Sequence, residues 1–199
     1  MLPFKNTAEN YFSRLSDMTK CIPLDSVEEL ARAMFGSISE KKSLFIFGNG
    51  GSAGNAAHMA NDFLYGVSKE VGCGLNVHAL TSNVSVLTCL ANDEGYSSIF
   101  ANQLAVHAKS GDIALALSGS GNSDNIVNGL RWCKDHSIRT FAILGYDGGV
   151  AKSIADCPIH IPVNDMQLSE DSQLIIGHMI MQWFYLNKAE FVRQFRKSN

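Results

Sequence analysis

Between residues 43 and 162 the chain alternates short, nearly unbroken apolar runs with longer stretches in which apolar positions recur every three or four residues. The runs at 43–47, 76–80, 112–117, 139–144 and 157–162 predict five strands. Because they are continuous instead of alternating apolar with polar, both faces of the sheet must be covered. Strand-helix-strand repetition predicts parallel pairing, since parallel neighbours need a crossover and a helix supplies it. The pattern therefore predicts an α/β fold, a three-layer sandwich around a five-stranded parallel sheet.

Helical periodicity brackets this core. Over residues 25–41, Val27, Leu30, Met34 and Ile38 fall on one face, with Asp25 or Ser26 as the expected cap. From 169 to 195 apolar residues nearly encircle the helix, Leu174, Ile176, Met179, Ile180, Trp183 and Phe184 among them, as in a helix buried all round. One neighbour would be the sheet and another a second subunit. The expected organisation is one domain over residues 1–199: N-terminal helices at 1–41, an α/β core at 42–165 and a C-terminal helix at 166–199. The Gly-rich stretch 145–149 is a turn inside it.

Composition narrows the function classes. The 199 residues are 46% hydrophobic and 18% charged, with a net charge of −3, so the chain lacks the basic field that draws nucleic acid or an anionic membrane. Cys21, Cys73, Cys89, Cys133 and Cys157 are odd in number and form no C-x-x-C pair. A reducing compartment is expected, and without a secretory leader or a long apolar span the expected location is the cytoplasm.

Chemistry concentrates in two loops, each directly after a strand. Gly48-Asn49-Gly50-Gly51-Ser52-Ala53-Gly54 follows the first, and Ser118-Gly119-Ser120-Gly121-Asn122-Ser123 follows the third. In both, glycines allow close backbone approach while a helix start offers N–H donors to an anion. Ser118, Ser120 and Ser123 add hydroxyls suited to the phosphate of a small phosphorylated metabolite. Gly48, Gly50 and Ala53 also satisfy G-x-G-x-x-A, but no acidic residue ends the next strand to hold a ribose, and no G-K-[ST] follows, so no nucleotide cofactor is expected. After the first loop, His58 and Asp62 share a helix face at i, i+4 and suit either an acid/base pair or two metal ligands. Glu170, Asp171 and His178 mark the last helix; from spacing alone, His178 also fits a core histidine hydrogen-bonded to a neighbour.

Taken together, Phe47-Gly48-Asn49-Gly50-Gly51-Ser52, His58, Asp62, Ala91-Asn92-Asp93-Glu94-Gly95-Tyr96, residues 118–123, Gly145-Tyr146-Asp147-Gly148-Gly149 and His178 resemble the sugar isomerase (SIS) domain, and within it the phosphoheptose isomerases. The resemblance implies a flavodoxin-like, doubly wound sheet and interconversion of sedoheptulose 7-phosphate with an aldoheptose 7-phosphate through an enediol, in a surface-polysaccharide pathway. It also implies that Asn49, Gly50, Gly51, Ser52, Asn92 and Asp93 contact sugar hydroxyls, with Glu170 nearby, and that Ser118, Gly119, Ser120 and Ser123 hold the phosphate. Asp62 and His178 would be catalytic, and a zinc ion would be held by His58, Asp62, Glu170 and His178. Three positions depart from the family pattern: Asp62 stands for a glutamate, Glu170 for a glutamine and Gly119 for a threonine. Family members are commonly homotetramers with sites between subunits. The alternative implied activity is a non-catalytic sugar-phosphate sensor or protein-binding adaptor of the replication-initiator-associated kind.

Overall fold

Each apolar run becomes a strand within two residues of its expected bounds: β1 Ser43–Gly48, β2 Asn76–Ala79, β3 Ile113–Ser118, β4 Arg139–Leu144 and β5 Cys157–His160. This computed structural model describes residue 1 and residues 3–197. All pairings are parallel and the order is β2-β1-β3-β4-β5, a flavodoxin-like arrangement. Helices α1 (Phe4–Lys20) and α2 (Leu24–Ser39) precede β1, and α3 (Gly51–Asn61), a π-helical turn (Asp62–Gly66) and α4 (Val67–Val71) lead to β2. Next come α5 (Val84–Asp93), a 3-10 turn (Tyr96–Ser98) and α6 (Ile99–His107); then α7 (Asp124–Asp135), α8 (Gly149–Ile154), α9 (Met166–Leu186) and α10 (Lys188–Lys197).

Alternation along the strands divides the apolar residues between two cores. Leu44, Ile46, Leu115, Leu117 and Ile143 join Leu30, Met34, Met59, Phe63, Ile176 and Ile180 on one face. Phe45, Phe47, Ala114, Ala116 and Ala142 join Phe100, Leu104, Ile126 and Leu130 on the other. The small Ala114, Ala116 and Ala142 leave that second face room for large rings, and Phe47 packs on Phe100 with centroids 5.1 Å apart.

The chain ends differ from expectation. In place of one C-terminal helix there are two, broken at Asn187 (φ −105°, ψ 21°), whose side-chain amide donates to the Trp183 carbonyl at 2.8 Å and so satisfies a helix-end acceptor. Folding back at Asn187 lets Phe191 pack on Phe35 and Phe184, at 4.4 and 4.6 Å between centroids. Residues 198 and 199 of the expected C-terminal segment, and residue 2 of the N-terminal one, lie outside the described residues. Helix α2 starts at Leu24 behind Pro23, and neither Asp25 nor Ser26 caps it; the proline ring presets φ at −77°. Among the described residues, no helix is long and apolar enough to cross a membrane, and all five cysteines are free thiols.

Candidate functional site

From β1 the chain crosses to β2 on one side of the sheet, and from β3 to β4 on the other. Connections diverging from adjacent parallel strands open a crevice beyond their carboxyl ends, and both Gly-rich loops emerge into it.

The first loop is braced by side chains from far along the chain. Gly50 (φ 58°, ψ −123°) turns β1 into α3 in a conformation that favours glycine. The Asn49 amide donates to Asn125 Oδ1 at 2.8 Å and accepts from Asn125 Nδ2 at 2.9 Å, while the Tyr96 hydroxyl also donates to Asn49 Oδ1 at 2.9 Å. Ser52 Oγ accepts from Gln173 Nε2 at 2.9 Å, and Gln173 Oε1 accepts from Asn55 Nδ2 at 2.9 Å. One turn before Gln173, the Glu170 carboxylate lies so close over Gly51 that a Cβ there has no room. It thereby places a negative charge at the N-terminus of α3, where the helix dipole favours one.

The second loop is held by its own backbone and by the next loop. Gly121 N–H donates to Ser118 Oγ at 3.0 Å and Asn122 N–H to Ser120 Oγ at 3.3 Å. Ser123 stands at the N-cap of α7 without spending its hydroxyl on a cap bond. Gly121 (φ 66°) lies against the Gly148 carbonyl, so closely that no side chain fits. Two amides at the start of α8 complete the latch: Ala151 N–H donates to Gly121 O at 2.9 Å and Val150 N–H to Asn122 Oδ1 at 3.0 Å.

His58, Asp62 and His178 meet between α3 and α9. His58 Nε2 lies 3.2 Å from His178 Nε2 and 3.2 Å from Asp62 Oδ2, and His178 Nε2 lies 3.5 Å from Asp62 Oδ2. The approach depends on Gly177, where an added Cβ would come within 3.1–3.5 Å of three Met59 side-chain atoms. Asp62 opens the π-helical turn, a local widening frequent at functional sites. Ligands of a tetrahedral zinc, each about 2.0–2.2 Å from the ion, stand about 3.3–3.5 Å apart. The spacing of the three donor atoms therefore fits a zinc ion.

Not every expected residue joins this group. Glu170 as a metal ligand is corrected: α9 already begins at Met166, so a helical rise of about 12 Å separates Glu170 from His178. The group that could hold an ion comprises His58, Asp62 and His178 among the described residues. Asn92 and Asp93 end the exposed helix α5 and bond to each other at 2.7 Å, with the Cys89 thiol also donating to Asp93 at 3.3 Å. The Asn92 amide, then the thiol, hold the Asp93 carboxyl below its ordinary range. Tyr96 is the residue of that motif that bonds to the first loop. Sequence reasoning missed Gln173 and Asn125. A signal for Gln173 was available: Ser169, Ser172 and Gln173, at i, i+3 and i+4, form a polar stripe on an otherwise apolar helix, and all three are buried.

Comparison with known proteins places the chain in a family. Residues 8–145 match the family model described as the SIS domain. The phosphoheptose isomerase of Chlorobium phaeobacteroides is 37% identical over 157 residues, covering 78% of this chain and 70% of that protein. The Geobacter sp. phosphoheptose isomerase is 38% identical over 137 residues, covering 69% and 71%. Among solved structures, a phosphoheptose isomerase from Francisella tularensis superposes with a TM-score of 0.84 at 24% identity, covering 91% of this chain and 97% of that one, which shows the shared fold. On the family match and on identity across most of its length, the chain belongs to the phosphoheptose isomerase family of SIS-domain proteins.

Proposed function

We propose that the protein is an aldose-ketose isomerase that converts sedoheptulose 7-phosphate to D-glycero-D-manno-heptose 7-phosphate through an enediol. The observation that carries this reading is the convergence of Asp62, His58 and His178 at 3.2–3.5 Å beside two anion-suited loops. Phosphate is assigned to Ser118, Gly119, Ser120 and Ser123, because the Glu170 carboxylate already occupies the N-terminus of α3 above the first loop. Asn49, Gly50, Gly51 and Ser52 then face the sugar hydroxyls.

In this reading Asp62 takes the proton from C1 and returns it to C2. His178 gives a proton to the carbonyl oxygen at C2 as negative charge develops there, and recovers one from the hydroxyl at C1. His58, whose Nε2 lies 3.2 Å from Asp62 Oδ2 and from His178 Nε2, holds the pair in register. The same three residues fit zinc, which when bound supplies Lewis-acid polarisation of a carbonyl oxygen.

The protein is further read as a cytoplasmic homotetramer. Supporting assembly, Phe4 and Phe12 on α1 are 84% and 66% exposed, and α5 buries none of its residues within one chain. The test is incubation of the purified protein with sedoheptulose 7-phosphate, with and without added zinc, and detection of the aldoheptose phosphate. No turnover in either condition would overturn the assignment, and tight binding without turnover would indicate a sensor. Light scattering giving a monomer mass at micromolar concentration would overturn the tetramer.

A further inference from the structure

Within the second loop, the two glycines differ in why they are glycine. Gly121 needs its positive φ and its contact with the Gly148 carbonyl, whereas Gly119 has no left-handed backbone. What limits Gly119 is space: a Cβ there would lie 2.8 Å from Met166 Sδ, 3.2 Å from Met166 Cε and 3.7 Å from Tyr146 Cε2. Ordinary contacts between such atoms run about 3.5–4.0 Å.

Both neighbours are anchored. Tyr146 holds a left-handed backbone (φ 44°), with its N–H donating to Val163 O at 3.0 Å and its carbonyl 3.0 Å from His160 Nε2. Met166 is the first residue of α9, directly after Asp165, whose carboxylate caps the helix by accepting from Leu168 N–H at 3.1 Å. The far end of the Met166 side chain, a residue 40% exposed, reaches back over the loop from that base and takes the volume that a side chain at 119 would occupy.

We propose that Met166 is a specificity-determining residue of the phosphate site. Gly119 and Met166 are a matched pair in which an apolar thioether, flanked by the Tyr146 ring, supplies the wall that a residue-119 side chain would otherwise form. This rests on the reading of residues 118–123 as the phosphate loop. A thioether cannot donate a hydrogen bond, so this wall contributes shape while the serines contribute the polar contacts.

A double-mutant cycle tests the pair, with inorganic phosphate as the calorimetric probe of wild type, Gly119→Thr, Met166→Ala and the double variant. Overpacking against Met166 should weaken phosphate binding by about tenfold in Gly119→Thr, and by less than about threefold when Met166 is alanine. Equal losses in both backgrounds, or no loss beside Met166, would overturn the proposal. Should Gly119→Thr fold only in the double variant, that rescue supports the pair; Gly119→Ala, which adds the Cβ alone, gives the cycle if neither threonine variant folds. Coupling without turnover of sedoheptulose 7-phosphate keeps the pair and removes the proposed activity. Turnover without coupling does the reverse, and a wild type that binds no phosphate overturns the pair together with the reading of residues 118–123 on which it rests.

Discussion

The loop of residues 118–123, proposed to hold phosphate, and the histidine-aspartate cluster are built in opposite ways. Residues 118–123 are fixed by backbone: Ser118 and Ser120 accept from amides of their own loop, and Gly121 is clamped by residues 148–151. His58, Asp62 and His178 are fixed by two helices that converge at Gly177, and the imidazoles remain 50% and 52% exposed. This construction yields a rigid polar cradle in which Ser118 and Ser120 accept from loop amides and keep their O–H donors, while Ser123 spends no bond on its helix cap. Side-chain construction leaves half-exposed imidazoles beside a carboxylate, the arrangement the proposed proton transfer uses. Binding and chemistry should therefore separate under mutation.

The largest separation is expected from Asp62→Asn, which keeps shape and removes the proposed base. Turnover should fall about a hundredfold to ten-thousandfold while phosphate affinity stays within about twofold. Steady-state kinetics beside calorimetry reads both, and a matched loss of affinity would show that the cluster is part of the binding cradle.

Gly121→Ala attacks the other side. Its methyl meets the Gly148 carbonyl and its φ of 66° is strained for alanine, so the latch between the two loops must open. At a cost of about 2 kcal/mol, phosphate affinity should weaken by about thirtyfold, with turnover at saturating substrate reduced far less. Equal losses in both would mean that the loop also positions the reacting carbons.

A smaller effect is expected where the two constructions meet. Gln173→Leu strips Ser52 and Asn55 of a buried partner and should cost about 1–2 kcal/mol of stability, read as a lower urea midpoint. The Michaelis constant should rise a few-fold as the first loop loosens. A variant of unchanged stability would show that Ser52 and Asn55 find other partners.

These same distinctions explain which parts could be read from the chain. Both loops are contiguous and follow apolar runs, and His58 with Asp62 is an i, i+4 pair, so local geometry placed them. Gln173 braces Ser52 across 121 residues and Asn125 braces Asn49 across 76, and no local pattern encodes such a pairing. The placement of Glu170 turned on where α9 begins: the Asp165 cap winds its first turn early and carries the carboxylate onto Gly51 and away from His178. The break at Asn187 was likewise hidden, because a polar residue in a mostly apolar segment also reads as an exposed helix position.

The smallest effect at neutral pH should come from the brace farthest from the chemistry. Tyr11 on α1 donates to Asp171 Oδ2 at 2.5 Å, tying α1 to the turn of α9 that carries Glu170, and Arg14 pairs with Asp165 at the helix cap. Partial burial first, and then the Asp171 carboxylate, push the Tyr11 phenol from 10.0 up to about 12. A phenol held protonated in the fold and released more readily by the unfolded chain makes the unfolded state bind fewer protons between those values. Its contribution is complete below pH 10 and is lost as pH rises toward 12. Tyr11→Phe should therefore lower stability at neutral pH by well under 1 kcal/mol, read from the urea midpoint, since the bond is partly exposed. The difference in stability between wild type and Tyr11→Phe should then narrow as pH climbs above 10, cancelling the titration of every other tyrosine and lysine. A difference that stays constant through that range would show that Tyr11 ionises alike in both states, leaving α1 attached through Arg14 and its apolar contacts. Turnover should stay within about twofold at neutral pH, because Tyr11 braces the helix start and touches neither the loop nor the cluster.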